Sequence, residues 1–130
     1  MSQLKAYAAA AQPVLQTTAQ KIWRMMQYKM PELQQFDCPD IIMNNRLRST
    51  AGLCYFNNNR IDIGTKFCLH SREYQIYIQR IILPHELAHQ ADFNLFGLSE
   101  LKCGHGKNWE YIMTHILNLP ANKYHKMERV

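Results

Sequence analysis

Apolar residues in the first part of the chain recur at helical spacing, with Leu15, Ala19, Ile22, Trp23 and Met26 on one stripe. That is the pattern of a helix with one buried face. Pro13 is expected in its first turn, where a missing N–H is no loss. Met25, Met26 and Met30 read as adaptable filling of irregular core positions, and Trp23 as core. Pro31 and Pro39 bracket a connecting segment, after which the period changes. Two short extended runs, residues 53–56 and 60–63, flank Asn57-Asn58-Asn59, which has the turn chemistry of a β-hairpin. Ile61 and Ile63 share one face of the second run, and Asp62 points the other way. Ala51 and Gly52 just before it suggest close packing or a tight bend.

Helical spacing resumes after Ser71 with Tyr74, Ile78, Ile81 and Ile82. Pro84 interrupts it, so either a long helix kinks there or a new one opens. The helix continues through Asp92 and Phe93 toward Gly97, a C-terminal stop. A last helix is expected from about Lys107 to Leu117, burying Trp109, Ile112, Met113 and Ile116. Helices around a small hairpin sheet, with no internal repeat, low-complexity tract or linker, point to an α+β fold and a single domain over residues 1–130.

The chemistry concentrates just after Pro84, in His85-Glu86-Leu87-Ala88-His89. On a helix, residues four apart lie on one face with Cβ atoms ~5–6 Å apart, so two imidazoles can converge on one ion. Glu86 is one position off that stripe and can reach a water beside the metal, the general-base position of a metal-dependent hydrolase. A catalytic zinc takes three protein ligands and keeps a fourth position open, so the downstream chain must supply the third. His105, between Gly104 and Gly106 in a stretch without periodicity, is the choice, with one zinc ion expected per chain. Glu100 and Cys103 stay open as rivals, whereas Glu110 looks helical and surface-facing. The metzincin pattern is excluded, because Asp92 and Leu95 stand where it needs glycine and histidine. Taken singly, either helix histidine reads as a packed or solvated side chain. The pair at ligand spacing, with Glu86 between and a Gly-His-Gly turn beyond, is hard to explain by packing.

Composition narrows the setting. The chain of 130 residues is 47% hydrophobic, and no apolar run approaches the ~18–20 residues of a membrane span. The first residues, Met1-Ser2-Gln3-Leu4-Lys5, lack the apolar core of a signal peptide. A cytoplasmic location is expected, or one associated with nucleoid or nucleus if DNA is bound. Cys38, Cys54, Cys68 and Cys103 are scattered without a C-x-x-C pair, so neither a zinc ribbon nor a disulfide framework is indicated. The net charge of +5 permits contact with an acidic partner, and solvated surface charge is the default for it. Arg46 and Arg48, with Lys123, Lys126 and Arg129, are candidates for DNA contact that is not sequence-specific.

Three ordered stretches carry a likeness to a known family. They are Arg48-Ser49-Thr50-Ala51-Gly52 followed by Arg60-Ile61-Asp62-Ile63, then Leu83-Pro84-His85-Glu86-Leu87-Ala88-His89, then His105-Gly106-Lys107-Asn108-Trp109. The tail Leu119-Pro120-Ala121-Asn122-Lys123-Tyr124-His125 adds to them. In this set the chain resembles the SprT-like metalloproteases, the SprT and Spartan family, from roughly Asn44 to the C-terminus. The resemblance implies a zincin-like fold, His85, His89 and His105 as zinc ligands, Glu86 as base, and an endopeptidase acting on protein substrates, DNA-bound or DNA-crosslinked proteins among them. Many members continue into a cysteine-rich zinc-binding segment, so residues up to Val130 are expected to represent the catalytic core without it. His70, His115 and His125 are read as structural.

Arg60, Ile61, Asp62 and Ile63 are expected to pair with an extended substrate through main-chain hydrogen bonds. The competing reading is a non-catalytic, zinc-stabilised basic module that binds nucleic acid or a protein partner. Glu86 argues against it, since a purely structural site needs no base.

Overall fold

The structure, a computed structural model, describes residues 2–97 and 105–122. Helix α1 (Gln3–Lys29) opens on Ser2, whose hydroxyl accepts the Lys5 N–H at 3.2 Å. Pro13 therefore lies inside the helix rather than in its first turn, a correction to the reading from spacing. The helix tolerates it because Pro13 and Ala9, whose carbonyl loses its partner, are both exposed to water. The strongly helix-forming Ala-rich stretch before Pro13 extends the element upstream. Leu15, Ala19, Trp23 and Met26 are buried as their stripe requires, and the Trp23 indole donates to the Phe36 carbonyl at 3.0 Å.

A 3-10 turn (Pro31–Gln35) leads to β1 (Asp40–Asn44), β2 (Gly52–Tyr55) and β3 (Arg60–Gly64). The sheet order is β1-β3-β2, with β3 parallel to β1 and antiparallel to β2. The expected hairpin is present, and its Asn59 takes the left-handed conformation (φ 49°) that asparagine tolerates. The outer edge of β1 is covered by α1, since Gln12 and Gln16 side-chain oxygens accept the Met43 and Ile41 N–H groups, each at 2.8 Å. Ile41, Met43, Ile61 and Ile63 face the helices and are buried. On the other face Asp62 is also fully buried, gripped by Arg60 at 2.7 and 3.1 Å and by the Asn44 amide at 2.8 Å.

This topology corrects the substrate-strand expectation. Residues Arg60, Ile61, Asp62 and Ile63 form the centre strand, whose main-chain groups are engaged by β1 on one side and β2 on the other. A third chain has no edge of β3 to join.

A short helix α2 (Thr65–His70), not anticipated from spacing, turns the chain at Ser71, whose hydroxyl caps α3 (Arg72–Tyr77) by accepting the Tyr74 N–H. A π-helical turn (Ile78–Ile82) joins α3 to α4 (Leu83–Phe96) without a break. Pro84 brings no N–H to the first turn of α4, and the wider turn ahead of it bonds the Leu83 N–H to the Ile78 carbonyl instead. All residues from Leu83 to Asp92 are buried, so α4 is the central element of the molecule. It ends at Gly97, with φ 79° and its N–H on the Phe93 carbonyl. The last helical run comprises α5 (Lys107–Tyr111) and a π turn (Ile112–Ile116), and it buries Trp109, Ile112, Met113 and Ile116 as expected. No described helix is long and apolar enough to cross a membrane.

Candidate metal centre

The central helix brings His85 and His89 to one face, and the segment entering α5 brings His105 to meet them. The three Nε2 atoms lie 3.0 Å (85–89), 3.0 Å (89–105) and 3.3 Å (85–105) apart, with all three side chains buried. Three imidazole nitrogens thus converge on one point, each able to present a lone pair there. Their separation matches three corners of a tetrahedron around an ion at ~2.0–2.1 Å, for which neighbouring ligands lie about 3.3–3.4 Å apart. Among the described residues these three histidines are the group able to hold a metal ion. Glu110 lies half-buried on α5 and is not part of the group, while Glu100 and Cys103 lie outside the described residues.

Glu86 is next to this donor set. Its Oε2 stands 3.8 Å from the His85 Nε2, and the side chain is buried. Loss of water raises its carboxyl pKa to about 8 in the metal-free protein. A cation held by the histidines acts in the opposite sense, favouring the carboxylate. The same carboxyl is packed against β2. A Cβ on Gly52 would lie 3.1 Å from the Glu86 Cγ and 2.7 Å from an Ile82 methyl, so glycine there allows the strand to close on the helix. The small residue noticed in the sequence thus has its explanation in α4.

Several neighbours complete the centre and were not assigned to it from sequence. Trp109, taken as core, is core and also the backing of the site: its ring centroid lies 4.9 Å from His85, 5.3 Å from His89 and 4.7 Å from His105. Its position four residues after His105, at the head of a helix, was the available signal. Phe56 meets His89 edge-on at 6.3 Å and stacks on Phe93 at 5.5 Å, placing a half-buried apolar wall beside the histidines. Gln90, buried behind them, bonds to the β2 side of the cleft.

The described cysteines are not part of the histidine group. Burial pushes the Cys38 thiol up to about 12 and Cys68 up to about 11; burial and then the neighbouring Glu86 push Cys54 upward as well. His70 stacks on Tyr74 and His115 on Tyr111, both exposed and apart from the metal group. Arg46 and Arg48 are exposed in the connection between β1 and β2, whereas Lys123, His125, Lys126 and Arg129 lie outside the described residues.

Among the described residues the outer edge of β2 carries no further strand, and it runs beside this centre. Gly64 donates to the Ala51 carbonyl at 2.8 Å, which makes 51/64, 53/62 and 55/60 the directly bonded pairs and turns the main-chain groups of Gly52 and Cys54 away from β3. Gly52 lies against Glu86, so this edge passes alongside the acid and its histidines.

The family model described as SprT-like matches residues 15–125, which extends the likeness upstream of Asn44 into α1. Protein SprT of Photorhabdus laumondii is 36% identical over 93 residues, 71% of this chain and 45% of that protein. Protein SprT of Vibrio atlanticus is 32% identical over 95 residues, 73% of this chain and 53% of its own length. Protein SprT of Yersinia enterocolitica is 31% identical over 111 residues, covering 82% and 62% respectively. The chain thus spans about half the length of the curated relatives it matches. No solved structure matches it. A family match that runs from the first core helix through the third histidine means that this chain belongs to the SprT-like family.

Proposed function

We propose that the chain is a zinc-dependent endopeptidase. The observation that carries this reading is the convergence of three buried histidine Nε2 atoms within 3.0–3.3 Å of one another, with the Glu86 carboxylate 3.8 Å from one of them. Zinc is the ion a three-imidazole set of this spacing suits, and when bound it supplies a Lewis acid and lowers the pKa of water toward ~7. His85, His89 and His105 would hold it. Glu86 then takes the proton from the attacking water and returns it to the leaving amine, the general-base and general-acid halves of peptide hydrolysis. Trp109 keeps the imidazoles in place and bulk water off their rear face.

In this reading the substrate strand is added to β2 rather than β3. The outward Gly52 N–H and the outward main-chain groups of Cys54 offer hydrogen bonds to an extended peptide, the Gly52 carbonyl accepting from the Thr50 hydroxyl at 3.0 Å, and the Phe56–Phe93 wall offers contact to its side chains. Main-chain pairing gives weak side-chain selectivity, which suits unfolded segments and, with the basic Arg46 and Arg48 nearby in sequence, proteins held on DNA.

The test incubates zinc-loaded protein with unfolded casein and with a DNA-bound protein, with and without single- and double-stranded DNA. Cleavage that chelation abolishes and zinc restores is the expected result. No cleavage in any arm would sink the endopeptidase and favour a non-catalytic, metal-stabilised basic module.

A further inference from the structure

We infer that Gln90 is a positioning residue for substrate, holding the open strand edge at a set distance from the metal centre. The inference rests on the endopeptidase reading and on the observation that β2 and its turn meet α4 at two places: Gly52 packs against Ile82 and Glu86, and the Cys54 thiol and Phe56 carbonyl bond to Gln90. Gln90 directly follows His89 and is buried to 1% exposure. Its amide nitrogen donates to the Phe56 carbonyl at 3.1 Å and to the Asn94 Oδ1 at 2.9 Å, and its oxygen accepts the Cys54 thiol at 3.4 Å. A primary amide in such a place is tolerated only when its donors and acceptor are filled, and here they are. Two of the three partners belong to β2 or the turn that ends it. The Phe56 carbonyl otherwise receives, among the described residues, only the Asn59 N–H at 3.4 Å.

The strand is therefore gripped at two points along one helix. Gly52 closes on Glu86 at one end, and Gln90 takes hold of Cys54 and Phe56 at the other. Gly52 and Cys54 are also the β2 residues whose main-chain groups turn away from β3, toward an added strand. A loosened edge weakens the main-chain pairing that holds an extended substrate, so its loss is felt as weaker binding by substrates long enough to lie along it. Cross-links from helix to sheet can also serve stability alone, so the test separates the two roles.

The test uses the full zinc-loaded chain and Gln90→Met, which keeps length and apolar bulk and removes the three hydrogen bonds. Zinc content should stay at the wild-type value. Amide hydrogen exchange over residues 52–56 should quicken by about tenfold, the equilibrium effect of one lost buried bond, while exchange in α1 is unchanged. The KM for unfolded casein should rise by about tenfold with kcat within about twofold, and the KM for a DNA-bound protein should rise with it. Cys54→Ala, which removes only the thiol contact, should move exchange and KM in the same direction by less, and it carries the test if Gln90→Met does not fold. Unchanged exchange over 52–56, or unchanged KM for casein with a lowered kcat, overturns the inference while leaving the endopeptidase standing. A wild-type chain that cleaves neither substrate overturns both.

Discussion

Glu86 is buried beside three imidazoles, and its environment separates two roles that a single residue could otherwise confuse. It lies beside the three histidines without belonging to their group, so under the proposed function its removal should affect chemistry and spare the metal. Glu86→Gln keeps the volume and cannot accept a proton at neutral pH; peptide hydrolysis should fall by about 10²–10⁴ with zinc content unchanged, as assayed by metal analysis alongside turnover. His105→Ala should do the reverse first, lowering zinc retention before any effect on folding is seen, because two imidazoles from one helix remain and the third corner is lost. Metal that stays bound after that change would show that the third ligand is another residue. At this scale the sequence was highly informative. His85, Glu86 and His89 were legible because helical geometry is local, and His105 because a Gly-flanked histidine outside any period has few structural uses. Trp109 and Gln90 were not, since a buried tryptophan or glutamine reads the same whether it backs a metal site or fills a core.

Among the elements, the pairing of β2 with α4 decides what the centre can reach. Gly52 stands where any side chain would press on Ile82 and Glu86, so Gly52→Ala should force strand and helix apart. A destabilisation of about 1–3 kcal/mol is expected from overpacking, read as a lowered urea midpoint. Hydrolysis should fall by more than the loss of folded protein accounts for, and an alanine variant with full activity would refute the close approach. The hairpin was legible from Asn57-Asn58-Asn59 between two extended runs, and the helix ends from Ser71 and Gly97. The π turn before Pro84 was not, because the period alone cannot distinguish a kink, a fresh start and a widened turn. Pro13 misled for a related reason: a proline is harmless in the first turn, but it is equally harmless wherever the freed carbonyl faces water.

For the molecule as a whole, metal and protons act on the same buried group. In the metal-free protein Glu86 is raised to about 8 and Asp92 to about 6, both by burial. Below about pH 3 both carboxyls are protonated in folded and unfolded chains alike. As pH rises the unfolded chain ionises first, so it binds fewer protons than the folded one and stability falls until the folded groups have also ionised, near pH 8. Urea midpoints of chelator-treated protein should therefore drop between pH 5 and 8, and drop less in Glu86→Gln. Saturating zinc should raise the midpoint and flatten this dependence, since it binds the folded state and favours the carboxylate. The basic surface supplies a separate expectation. DNA binding carried by Arg46 and Arg48, with Lys123, Lys126 and Arg129, should weaken by at least about tenfold between 50 and 200 mM salt and show little sequence preference. Tight binding that ignores salt would remove those residues from the role.

The sequence by itself determined what depends on neighbours within a few positions: the paired histidines on one helix face, the acid between them, the helix stripe of α1, the hairpin, and family membership through ordered motifs. Tertiary structure alone decided which strand lies in the middle. Residues 60–63 have the composition of a strand that an extended peptide could join, and nothing local says that β1, some twenty positions earlier, returns to pair along its free side. Strand order is set by which apolar faces can be buried together, here Ile41 and Met43 beside Ile61 and Ile63 under the helices. Once that burial is made, β3 is enclosed, α1 covers β1 with two glutamines, and the open edge falls to β2, alongside the acid and its three histidines.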